Sequence, residues 1–220
     1  RNTKVKGIIE AGQPSTETVY QSKAIALFQR FDGMDVCLFC MYVHEYEEDK
    51  SSNQKKRVYI GYIDSVEYFR PQELRTYMYH EIVTSYLATA RARGFECAHI
   101  WSCPPSRGNS FVFWAHPSVQ RTPTKDHLRS WYHRVICHGL ENGIITNVTS
   151  LYESSFQDFD VNRKVQHKEG LNMEKRSIMP CPPLLEGDFW IEEVSRLCSS
   201  SIAKFFRTKN SKKYILQFAI

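Results

Sequence analysis

Two short segments hold the residues most able to do chemistry. The first, Tyr62 to Glu81, reads YIDSVEYFRPQELRTYMYHE, and the second, His99 to Pro105, reads HIWSCPP. In the first, a strand ends at Asp64-Ser65, an aromatic crossover follows, and Pro71 opens a helix carrying Arg75 and Thr76 near its start. The first amides of a helix have no partner within it, so a cation beside them suits a phosphate-bearing ligand. An exposed helix arginine fits the same spacing equally well, and Asp and Ser after a strand ordinarily cap or turn the chain. The second segment is a strand that stops at a Trp-x-Cys-Pro-Pro corner, with Trp101 and Cys103 at its end. Two strand ends facing one helix start make a plausible site for a phosphorylated cofactor.

Other constellations carry less. Cys103 could be a nucleophile with His99, His116 or His133 as its base, but spacing puts no histidine beside it. Cys37-Leu-Phe-Cys40 has the spacing of a zinc half-site or a redox pair. It lies in the apolar run DVCLFCMYV with no second pair at a matching distance, so it reads as buried thiols. HExxH, Walker A, GxSxG and GxGxxG are all missing, which leaves metalloprotease, P-loop and dinucleotide readings without support. Trp131 and Tyr132 are consecutive on a predicted helix, so they point about 100° apart. One ring can pack while the other reaches a cleft.

These residues need a scaffold, and the pattern supplies an α/β one. Ala24 to Gln29, a turn at Asp32-Gly33 and Val36 to Tyr46 read as a β-hairpin, because Asp-Gly suits a tight turn with positive φ. Arg57 to Ile63 reads as a third strand buried on both faces. A helix from about Pro71 carries Leu74, Met78, Ile82 and Leu87 on one side and stops at Gly94. Strands are expected at Glu96 to Trp101 and Ser110 to Ala115. A second helix is expected from near Thr124, with Leu128, Trp131, Val135 and Ile136 on its apolar side, ending around Gly139 to Gly143. Residues 153–180 read as a variable polar loop, Ile191 to Leu197 as a helix, and Lys213 to Ile220 as a last strand. The fold class is therefore α/β, a central mixed sheet flanked by helices.

Composition bounds the rest. The 220 residues, 42% hydrophobic and 13% aromatic, suffice for one sizeable α/β core. No run of eighteen apolar residues could cross a membrane as a helix. Seven cysteines without pairing rhythm point to a reducing compartment. A net charge of +5, spread along the chain, permits an anionic ligand but does not argue for direct DNA binding. The first residue is Arg, and the chain reads as a piece of a longer protein whose C-terminal strand is cut short.

At RVYIGYIDSVEYFRP, LRTYMYHEI, HIWSCPP, LRSWY and EGDFW the chain closely resembles, in order, the motifs of the CREB-binding-protein type of histone acetyltransferase. The opening hairpin, KAIALFQRFDGMDVCLFCMYVHEY, is similar to that of the plant members, and the likeness runs from about Tyr20 to Trp190. The resemblance implies one partial histone acetyltransferase domain over residues 1–220 with an acetyltransferase (GNAT-like) core. It implies acetyl-CoA as co-substrate, no metal within this stretch, and a nuclear coactivator acting on histone tails and other lysine-bearing nuclear proteins. Transcription factors would be met through regions outside the chain. Carried over by position, Ile63, Asp64 and Ser65 contact acetyl-CoA and Arg75 with Thr76 takes its phosphates. Thr122, His127 and Trp131 belong to the cofactor wall, and Trp101 lines the tunnel with Cys103 as its neighbour. Tyr132 corresponds to the general acid, while Tyr62, Glu186 and Asp188 line a shallow acidic substrate groove. His127 stands where the family carries Arg or Lys, and Thr122 where it carries an apolar residue, which implies weaker cofactor binding. A catalytically weakened homologue serving as a scaffold is the alternative.

Overall fold

The computed structural model describes residues 2–6, 17–48, 55–101, 111–155, 185 and 213–218. Asp32 and Gly33 both take positive φ, 46° and 83°, so the hairpin closes in the tight turn that Asp-Gly favours. It joins β2 (Glu17–Phe31) to β3 (Met34–Tyr46), and β1 (Asn2–Lys6) pairs with the outer edge of β2. Strand β4 (Arg57–Ser65) runs antiparallel to β3 and parallel to β5 (Cys97–Trp101). The parallel connection demands a crossover, which is helix α1 (Arg75–Ala92). After α2 (Lys125–Glu141) come β6 (Ile145–Ser150) and the short α3 (Leu151–Ser155). Finally β7 (Lys213–Phe218) inserts between β5 and β6, and the described strands form one mixed sheet in the order β1-β2-β3-β4-β5-β7-β6.

Helices α1 and α2 end as their glycines dictate. Gly94 (φ 83°) and Gly143 (φ 64°) each follow the last turn with paired closing bonds: Phe95 N–H to the Ala90 carbonyl, and Ile144 N–H to the Gly139 carbonyl. The core lies between the sheet and the two helices. Leu38, Met41, Val43, Val58 and Ile100 of the sheet meet Val83, Leu87 and Ala90 of α1 and Val135 of α2. Tyr20, Tyr46, Tyr59 and Leu185 form a separate small cluster, so β3 is buried almost throughout. The far end of α1 is pinned by Glu45, whose carboxylate takes both arms of Arg93 at 2.6 and 2.7 Å, Lys23 at 2.7 Å and the Tyr86 hydroxyl at 3.1 Å.

Four expectations need correction. The apolar face of α1 is rotated by about one residue: Tyr79, Val83, Leu87 and Ala90 are buried, Met78 and Ile82 only in part, and Leu74 lies outside the helix and exposed. Residues 111–115 form no strand, because the amides of Val112 and Phe113 bond a side chain instead of a ladder. Strand β6 was not expected, although Ile144 to Val148 is rich in β-branched residues, and neither was β1. Helix α1 begins at Arg75 itself, since Pro71 opens a separate 3-10 turn, Gln72–Leu74. The expected helix at 191–197 and most of the loop at 153–180 lie outside the described residues.

Candidate active site

The β4–β5 ladder ends at the Ile60–Ile100 pair, whereas β3 stays with β4 as far as Phe39–Ser65. Gly61 to Ser65 therefore have no strand partner on their β5 side among the described residues. Ligands in such sheets settle where parallel strands end and separate. Ile63, Asp64 and Ser65 stand on that open edge, and Trp101, level with Gly61, closes β5 beside it. The Trp101 side chain, Cys103, Glu186 and Asp188 lie outside the described residues.

Asp64 is the most heavily bonded side chain here. Its Oδ1 accepts from its neighbour Ser65 N–H at 2.9 Å and lies 2.7 Å from His116 Nε2. Its Oδ2 accepts from Val112 N–H at 3.1 Å and Phe113 N–H at 3.2 Å. Gln120 adds a second tie, donating from Nε2 to the Ser65 carbonyl at 2.9 Å and accepting the Glu67 N–H at Oε1 at 3.1 Å. Residues 111–120 are thus fastened across the end of β4. Above them Tyr62, half-exposed, lies against Phe111 with ring centroids 5.7 Å apart. Sequence spacing offers His116 only as a base for Cys103 and gives no reason to single out Gln120. No spacing rule links either to Asp64, more than fifty residues away.

Arg75 is the first residue of α1, and neither the 3-10 turn nor the helix start has a side-chain cap. Its Nη1 lies 3.6 Å from Glu67 Oε1, near enough for an ion pair but too far for a hydrogen bond, and the same nitrogen is buried without a hydrogen-bond partner among the described residues. A guanidinium donor withheld from water and left unbonded beside an uncapped helix start is primed for an anion. Thr76 follows, exposed.

The opposite wall is α2. Thr124 caps it by accepting the His127 N–H at 3.3 Å, as Thr does at a helix start, and Thr122 and His127 are exposed. One turn on, the Trp131 ring lies between His80 of α1, 4.9 Å away, and Tyr132, 5.1 Å away and nearly perpendicular. Trp131 is half-buried while Tyr132 is 7% exposed within the core. Burial drives the Tyr132 phenol well above the usual tyrosine range, so it keeps its proton at neutral pH. His80 is pushed down to about 4, by burial first and then by the nearby Arg134 and His138, and its buried Nε2 has no hydrogen-bond partner among the described residues. A neutral aromatic wall thus faces α1 about 7.5 Å along the helix axis from Arg75. Of the expected residues, the structure joins Asp64 and Ser65 at one strand end, sets Arg75 near them through Glu67 and Gln120, and packs Trp131 against both its α2 neighbour Tyr132 and His80 of α1.

Comparison with known proteins adds a family. The model of the histone acetyltransferase domain KAT3 matches residues 3–197. Histone acetyltransferase HAC12 of Arabidopsis thaliana is 36% identical over 210 residues, 92% of this chain and 12% of that protein. Probable histone acetyltransferase HAC-like 2 of Oryza sativa subsp. japonica is 42% identical over 156 residues, 68% of this chain and 11% of the rice protein. Protein cbp-1 of Caenorhabditis elegans is 34% identical over 199 residues, 89% of this chain and 9% of that protein. The chain spans about a tenth of the length of these relatives.

Proposed function

The chain belongs to the histone acetyltransferase domain family KAT3, and from that premise we propose that it is a lysine acetyltransferase domain using acetyl-CoA. Its substrates are lysine side chains of histone tails and other nuclear proteins, and its setting is a nuclear coactivator that meets transcription factors through other regions. The observation that carries the reading is the unbonded, buried Nη1 of Arg75 beside an uncapped helix start. The residues present fit acetyl-CoA: Arg75 and Thr76 for its diphosphate, the strand edge at Ile63 to Ser65, which has no β5 partner among the described residues, for its pantetheine arm, and Trp131 with Thr122 and His127 for the far wall. A GNAT-like core is part of the proposal, supported by the separation of β4 from β5 beyond Ile60.

Acetyl-CoA, when bound, supplies a thioester carbonyl open to attack and a thiolate that leaves. Everything else falls to the chain. A lysine of reference pKa about 10.4 pays about 4.6 kcal/mol to be neutral at pH 7. Glu186 and Asp188, with Tyr62, draw the cation to the site, and an apolar surrounding at the reaction centre then favours the neutral amine. Tyr132 is the proton donor to the departing sulfur. The phenol is protonated before reaction and gives up its proton as negative charge gathers on sulfur, although burial makes it a weaker acid than a solvated tyrosine. The proton shed by the new amide nitrogen restores the phenol. The scaffold alternative is not favoured, since the family model is a histone acetyltransferase domain and the relatives compared include proteins named histone acetyltransferases.

The test is acetyl transfer from labelled acetyl-CoA to histone-tail peptides by the complete protein. Tyr132→Phe should lower kcat by about 10²- to 10⁴-fold while leaving acetyl-CoA binding intact. No transfer by the unaltered protein, or full activity in Tyr132→Phe, would overturn the assignment.

A further inference from the structure

The Asp64 carboxylate has four acceptor sites, and all four are filled by the chain itself. Its side chain is 10% exposed. A ligand donor could reach it only by displacing one of these bonds, so its charge is committed to the protein. Three of the four donors come from residues 112–116, and Gln120 clasps the backbone on both sides of Val66. A carboxylate only accepts, so His116 Nε2 carries the proton it shares with Asp64 Oδ1. The His116 ring also stands edge-on to Phe113, 6.2 Å between centroids, and is itself mostly covered.

We propose that Asp64, His116 and Gln120 form a clamp that holds residues 111–120 over the open end of β4, and that His116 is a positioning residue for the acetyl-transfer site. The clamp rests on the function proposed above only for its kinetic consequence. Without it, Val112 and Phe113 lose the acceptor that stands in for a β-ladder, because 111–115 pairs with no strand among the described residues. The Tyr62–Phe111 contact, at the mouth of the open edge, then loses its support. Asp64 acts through this segment, whose placement costs entropy that three charge-assisted bonds from it offset.

The variants that test it are His116→Phe, which keeps a ring but removes the donor, and His116→Gln, which restores an N–H at similar reach. Amide hydrogen exchange reads the clamp directly. In His116→Phe, exchange at Val112 and Phe113 should rise about tenfold, with that in α1 unchanged. His116→Gln should return it toward the original rate. In the complete protein, His116→Phe should raise KM for a lysine peptide about fivefold or more while kcat changes less, and the melting temperature should stay within about 3 °C. Unchanged exchange at Val112 and Phe113 would overturn the clamp. Faster exchange with unaltered KM would overturn the positioning role. A complete protein with no acetyl transfer at all would sink the proposed function instead, and the exchange measurement would still decide the clamp.

Discussion

Arg75→Gln separates binding from folding more sharply than any other change in this site. Removing the guanidinium takes away a positive charge and a buried donor that has no hydrogen bond in the free chain. Its only charged partner among the described residues is Glu67 at 3.6 Å, partly exposed, a contact contributing about 0–1 kcal/mol. Free-state stability should therefore hardly fall, with a melting shift within about 3 °C for a chain of this size. A charge-assisted hydrogen bond to a phosphate is worth about 1.5–3 kcal/mol, which converts to an increase in acetyl-CoA KM of about tenfold to 150-fold. The assay is steady-state acetyl transfer with two donors, acetyl-CoA and acetyl-pantetheine, the second lacking the diphosphate. Arg75→Gln should raise KM for the first and leave that for the second alone. If both KM values rose together, or neither moved, the diphosphate role of Arg75 would be wrong. A large loss of melting temperature would show that the guanidinium supports the fold instead.

Three further outcomes are expected. A Cβ at Gly139 would sit 2.5 Å from Ile145 Cδ1 and 3.0 Å from Cγ1, so Gly139→Ala should cost about 1–2 kcal/mol in chemical denaturation despite alanine's better helix propensity; a stabilised variant would refute that packing. His80 has a folded pKa of about 4, below the unfolded value, so the unfolded chain takes up its proton first as pH falls. Stability is intact above about 6.5 and declines toward pH 4, by about 2 kcal/mol at pH 5, and His80→Gln should flatten that decline in urea titrations at pH 7 and 5. Parallel losses in the two proteins would dismiss His80 as the source. His127, exposed on the first turn of α2, should tighten acetyl-CoA binding when changed to Arg, lowering KM about threefold to tenfold; an unchanged KM would place the side chain out of reach.

Much of the scaffold was legible because its signals are local. Asp32-Gly33 marked the hairpin, Gly94 and Gly143 marked both helix ends, and Thr124 marked the start of α2. Where local preference met a distant partner, the reading slipped. Phe111 to Ala115 has the composition of a strand, yet a carboxylate on another element claims its amides. The apolar set on α1 has two candidate faces, and the position of the sheet chose the one through Tyr79, Val83 and Leu87. Likewise β6 became a strand by pairing with β7, more than sixty residues later in the chain.

The sequence by itself determined the kind of site: a strand end and a helix start with Arg75, a Trp-x-Cys-Pro-Pro corner, and adjacent Trp131 and Tyr132. It also determined the family, because several spaced motifs agree in order along the chain. Only the tertiary structure decided how these parts are used. It spent the Asp64 carboxylate on His116 and a loop, left Arg75 Nη1 without a hydrogen bond, and sealed Tyr132 in the core with its proton held. Hydrogen-bond saturation and desolvation depend on what surrounds an atom in space, and neighbours in space are what residue spacing along a chain does not encode.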